Sequence, residues 1–176
     1  MRLITIQHKS VLDTLRKDGV YRAYAKFIPE NLIEPYEFMM QTYQYSHPPI
    51  FLNKVGQRCE FYGASTGPDY IAIEFEIPDN LVSHQRYYDW VDFIYFTESP
   101  NEFPDSYNTN IFPTVKSFGK YVLTNTEEIS KDHAYQFTVS ELRAEWIRDI
   151  ADDTTKLEIH NGSGGSYVLK PLSEYK

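Results

Sequence analysis

The sequence predicts an α+β fold: a single globular domain over residues 1–176, built on a mostly antiparallel mixed sheet with about four helices. Three observations predict it. Ile71, Ile73, Phe75 and Ile77 alternate strictly with Ala72, Glu74 and Glu76, the period of a strand. A few residues later Tyr87, Trp90, Val91, Ile94 and Tyr95 recur at helical spacing. Strand-like and helix-like segments do not alternate regularly enough along the chain for a doubly wound parallel sheet.

Taken in order, Arg2 to Gln7 predicts a strand with both faces apolar. Ser10 and Asp13 form a weak capping box, Val11, Leu12 and Leu15 share one helical face, and Gly19 supplies a left-handed stop. Val20 to Ala23 is a short extended return. Asn31 and Glu34 cap a second helix with Pro35 in its first turn; Leu32, Tyr36, Met39, Met40 and Tyr43 form its stripe, and Pro48-Pro49 stops it. Asn53 to Pro68, with three glycines, predicts a loop holding one short strand near Cys59 to Tyr62. Ser83 is the expected cap of the Tyr87 helix. Glu98 to Pro113 predicts a surface loop, and Tyr121 to Thr124 and Ala134 to Phe137 predict strands. Thr138 and Glu141 make a T-x-x-E box that predicts a helix through Leu142, Trp146, Ile147 and Ile150. Leu157 to His160 and Ser166 to Leu172 predict a closing hairpin around Asn161-Gly-Ser-Gly-Gly165.

Composition excludes several classes. Aromatic residues make up 16% of the chain and apolar residues 41%, which argues for a packed core against disorder. The net charge of -8 argues against direct nucleic-acid binding, which needs clustered Lys and Arg, and suits a basic protein partner. The one cysteine, Cys59, rules out an internal disulfide and a thiolate zinc site. No signal peptide is visible at the N-terminus, and no apolar run approaches the roughly 18 residues that span a bilayer, so a cytoplasmic protein is expected.

The candidate chemistry is sparse. The glycine-rich segment 161–165 lacks the Lys and Ser/Thr of a phosphate loop and suits a hairpin turn. Glu74 and Glu76 share a strand face, as paired catalytic carboxylates would, but also as any solvated sheet face would. No two of His8, His47, His84, His133 and His160 stand at the spacing of a helical metal pair, so no metal site is expected. Cys59 next to Arg58 is either an activated thiol or a small buried hydrophobe. Trp90 and Trp146 are expected in the core. Tyr87, Tyr88 and Tyr95 are the densest tyrosine group, suited to a cleft or a partner surface.

The order of the pieces resembles the uncharacterised bacterial family called domain of unknown function 3841. The residues that carry the likeness are Leu3-Ile-Thr-Ile-Gln7, Gly19-Val-Tyr-Arg-Ala23, Tyr70-Ile-Ala-Ile-Glu-Phe-Glu-Ile-Pro-Asp79, Trp90, and Ala144-Glu-Trp-Ile147, which looks like that family's closing helix. Ser83-His84-Gln85 stands where the family carries an acidic segment. A fainter likeness is to the opening of compact ADP-ribosyltransferases: a strand, a helix of the form Val-Leu-x-x-Leu-x-x-x-Gly, and a Tyr-Arg return. That resemblance implies NAD as cofactor, with Thr5, Gln7 and Arg22 binding it and Glu141 or Glu145 as the catalytic carboxylate. Charge, tyrosine content and these likenesses leave two functions and, behind them, a structural or oligomeric module that contacts through the edge strands of the closing hairpin. The leading one is a small acidic protein-binding or inhibitory module of bacterial or phage origin that needs no cofactor. The alternative is a nucleotide-binding enzyme resembling an NAD-dependent ADP-ribosyltransferase.

Overall fold

The computed structural model of the chain describes residues 1–60, 67–104, 111–125, 128–157 and 167–175. It opens with strand β1 (Arg2–His8) and helix α1 (Lys9–Asp18). Val11, Leu12 and Leu15 are buried, and Gly19 closes the helix at φ 74° with its N–H on the Leu15 carbonyl. The helix is capped by the His8 ring, which accepts the Ser10 N–H, so the cap lies ahead of Ser10. A short β2 (Val20–Tyr21) leads to α2 (Ile33–Tyr43). Asn31 sits in a 3-10 turn over Glu30–Leu32 and does not cap α2; Leu32 flanks it. α2 ends at Gln44, which takes a left-handed φ of 58° before the prolines are reached. Then come β3 (Ile50–Lys54), β4 (Arg58–Cys59), β5 (Tyr70–Glu76), β6 (Ser83–Arg86), α3 (Tyr87–Glu98) and α4 (Val115–Thr124). The last strands are β7 (Tyr135–Val139), β8 (Leu142–Arg143), β9 (Ile147–Ala151) and β10 (Tyr167–Val168).

Six strands form one antiparallel sheet in the order β6-β7-β3-β1-β5-β9, and β2-β8 and β10-β4 are two small ribbons. The fold is therefore α+β, with four helices among the described residues. Register assigns the faces. Leu3 opposes Phe75, Leu52 opposes Phe137 and Ile50 opposes Val139, and this face packs on Val11, Leu12 and Leu15 of α1. Phe51 points the other way and joins Met39, Trp90, Phe93 and Phe118 beneath α2, α3 and α4. On the same side Ile4 and Ala72 pack with Cys59, Leu169 and Leu172. No helix among the described residues is long and apolar enough to cross a membrane.

Further expectations are corrected. Thr138 caps nothing: it is buried in β7, and residues 142–150 form β8, a 3-10 turn over Ala144–Trp146 and β9 in place of a helix. Ile147 and Ile150 satisfy a helical and a strand pattern alike, and the open edge of β5 decides between them by supplying hydrogen-bond partners. The Ala144 to Ile147 match to a closing helix falls with it. Tyr121 to Thr124, expected as a strand, is the last turn of α4, whose start is fixed by a reciprocal Thr114–Ser117 capping box. Ser83 is in a strand, not a cap, and β3 takes the first two residues of the expected loop at 53–68. Most of the expected closing hairpin, with the glycine-rich turn, lies outside the described residues; β10 pairs with β4.

Candidate functional site

β1 and β3 are paired at Leu3–Lys54 and Ile4–Asn53 and then part. The reason is local. The hydroxyl of Thr5 donates to the Phe51 carbonyl at 2.9 Å and takes a place a ladder bond would fill, while Gln7 Nε2 donates back to Thr5 Oγ1 at 2.9 Å. Beyond Thr5 the strands diverge, and a cleft of about 590 Å³ opens between them, a size typical of small-molecule sites.

Both faces of the split sheet line this cleft. β1 contributes Thr5, Ile6 and Gln7, and β3 contributes Ile50, Phe51 and Asn53. Tyr21 and Ala23 come from β2 and the turn after it. Leu32 and Tyr36 come from the start of α2, Tyr87, Trp90, Val91 and Ile94 from α3, and Glu60 and Gln136 add polar groups to the lining. The aromatic wall is continuous: the Tyr36 ring lies 5.4 Å from Phe51 and 6.4 Å from Trp90. Burial pushes the Tyr36 hydroxyl up to about 12, so it stays a neutral donor across the physiological range. The Tyr88 hydroxyl, beside the cleft, donates to Glu60 Oε1 at 2.9 Å; that bond, then burial, raises its pKa.

The structure separates the residues that resemblance grouped. Thr5 and Gln7 are at the cleft; Arg22, Glu141 and Glu145 do not line it. The β2–β8 register, with Val20 on Arg143 and Tyr21 on Leu142, carries Arg22 opposite Glu141. Arg22 donates to Glu141 Oε2 at 2.9 Å, and Arg143 donates to Oε1 at 2.8 Å. Burial acts to raise the Glu141 pKa, but the hydrogen bonds and charges of Arg143 and Arg22 outweigh it and hold the carboxyl below its ordinary value. Glu145 is exposed, 3.8 Å from Arg143.

Other candidates resolve as structural parts. Glu74 is only 1% exposed, which corrects its expected solvated face. Arg2 donates to its Oε1, and the Leu172 N–H donates to Oε2 at 2.9 Å. Glu76 is exposed and pairs with Arg148. Cys59 is fully buried among Ile4, Ala72 and Leu172 and packs as a small apolar side chain. His84 meets Tyr135 edge-on and lies tilted against Phe137, and no three metal-ligating side chains gather among the described residues. Trp90 is in the core as expected and also walls the cleft; Trp146 is half-buried under the Arg143 guanidinium.

Sequence reasoning missed Asn53, Glu60 and Gln136 as site residues. Each looks like ordinary loop or strand polarity until the strands part beside them. The signal that was available is that Asn53 and Gln136 interrupt otherwise apolar strands. Family models, curated proteins and solved structures were all compared with the chain, and none matches.

Proposed function

We propose that the chain binds a small organic molecule with a flat ring, of the nucleotide class, in the cleft between β1 and β3. The observation that carries this reading is the parting of two central strands beside an aromatic wall, in a cleft that Asn53, Glu60 and Gln136 also line. The ADP-ribosyltransferase likeness would make NAD one such ligand, with Thr5 and Gln7 in contact and the Tyr36–Trp90 wall against a ring. Lys, Arg and His are absent from the described lining, so this cleft offers a ring site more than a phosphate grip.

A thermal-shift screen with NAD, ADP-ribose, ATP and cyclic nucleotides tests this. A ligand at 100 times its dissociation constant adds about 2.7 kcal/mol. At roughly 2–4 °C per kcal/mol this is a shift of several degrees. Ala23→Phe, which fills the cleft from a half-buried position, should abolish the shift while the protein stays folded. A shift that survives Ala23→Phe, or no shift with any of these compounds, overturns the reading.

One observation favours the protein-binding alternative. Tyr88, Val91 and Tyr95 are exposed on one face of α3, and Tyr24 and Phe27 are exposed in the chain before α2. A basic protein docking there would suit the net charge of -8. Co-purification of a basic partner that disappears in Val91→Lys would support it, and a partner that ignores that change would not.

A further inference from the structure

The polar lining of the cleft has an imbalance that specifies its ligand. Asn53 is 7% exposed, and its Oδ1 has no hydrogen-bond partner; the buried Oε1 of Gln136 has none either. Glu60 is 8% exposed, and among the described residues the Tyr88 hydroxyl is its one donor, with no ion pair. A buried carboxylate with so little compensation is costly, as is a buried amide left unpaired. The two amides can turn either end toward a ligand, but Glu60 in its ionised form only accepts, so the carboxylate sets the sign. No Lys, Arg or His belongs to the described lining; the nearby Arg58, whose charge reaches Tyr88, forms no ion pair with Glu60 and donates to the Asp132 carbonyl. The lining also holds the rings of Tyr36 and Trp90, and the π-face of an aromatic ring attracts cations.

We propose that the cleft takes a planar nitrogen cation bearing N–H donors, of the amidinium or guanidinium type. Its N–H edge meets Glu60, Asn53 and Gln136, and its face lies on the Tyr36–Trp90 wall. The proposal rests on the cleft being the ligand site, and it names the chemistry of the group that enters first. The same group is found on free small molecules and on an arginine side chain of a protein; an acidic chain suits either.

The test titrates the full chain, as Trp146→Phe so that Trp90 is the remaining tryptophan, with benzamidine, benzamide and benzoate. These share one ring and differ in charge. Calorimetry supplies the affinity and Trp90 fluorescence the location. Benzamidine should bind at least tenfold tighter than benzamide, and benzoate should not bind. Glu60→Gln should lower benzamidine affinity about tenfold or more, because a charged hydrogen bond is lost. If Glu60→Gln fails to fold, Gln136→Leu at a half-buried position should weaken benzamidine severalfold. Methylguanidinium and the peptide Gly-Arg-Gly distinguish the sources: tighter binding of the peptide points to a partner's side chain, and equal or weaker binding to a small molecule.

Benzamide or benzoate matching benzamidine, or unchanged benzamidine affinity in Glu60→Gln, overturns the assignment. Nucleotides that bind and are not displaced by benzamidine overturn it while leaving the cleft as the ligand site. If neither series binds, both readings fall.

Discussion

Replacing Glu74 by Ala should destabilise the protein far more than the same change at Glu76, two residues along one strand. Glu74 is 1% exposed and accepts from both Arg2 and the buried Leu172 N–H; Glu76 is 52% exposed. Removing the Glu74 carboxylate leaves the Leu172 N–H without an acceptor, which costs about 1–3 kcal/mol. The Arg2 side chain is 35% exposed and can turn to water, so losing its bonds adds only about 1 kcal/mol, below the penalty for a fully buried partner. The sum is about 2–4 kcal/mol, or roughly 5–15 °C in melting temperature for a chain of this length. Glu76→Ala should cost under about 1 kcal/mol.

Urea unfolding gives the difference as a shift in midpoint at constant slope. Amide hydrogen exchange should show Leu172 opening faster in Glu74→Ala, because the carboxylate ties the C-terminal segment to β5. Equal midpoint shifts for the two variants, or an unchanged Leu172 exchange rate, would refute the argument that Glu74 is a buried tie.

Gly119→Ala sets helix propensity against packing. Alanine is favoured by about 1 kcal/mol inside a helix, but a Cβ there would sit 2.6 Å from Cζ of buried Phe93. Overpacking costs about 1–3 kcal/mol, so calorimetry should show a lower melting temperature; a higher one would mean that Phe93 moves aside freely. Glu141 gives a pH signature. Its folded pKa lies below its ordinary value of 4.5, so its stabilisation is fully present above that value and is lost as the pH falls through the lower folded pKa. Stability curves of the natural chain and Glu141→Gln should therefore differ above about pH 4.5 and converge in stronger acid; a constant gap would argue that Glu141 is not held by its arginines.

Local signals carried those parts of the fold whose pattern admits one solution. Val11, Leu12, Leu15 and Gly19 define α1 because spacing and a left-handed stop agree, and Ile71 to Ile77 defines β5 by strict alternation. Thr5 and Gln7 were named only through the ADP-ribosyltransferase likeness; nothing in the strand pattern itself marks them as site residues. Where a pattern admits two solutions, neighbours distant in sequence chose. Ile147 and Ile150 became a strand because β5 offered an edge, and Tyr121 to Thr124 became helix because Phe118 and Val122 pack against α3 from there.

The sequence by itself determined the class of the fold, the existence of β5, the net acidic charge and the sparseness of readable catalytic motifs. All of these depend on composition or on contacts within a few residues. Only the tertiary structure decided that Glu74 is buried, that Arg22 and Glu141 hold each other, and that β1 and β3 part beside Asn53, Glu60 and Gln136. The reason is physical: burial and pairing are set by which surfaces meet, and the partners here lie far apart in the chain. A carboxylate on a strand carries no local mark of whether water or a distant amide will face it.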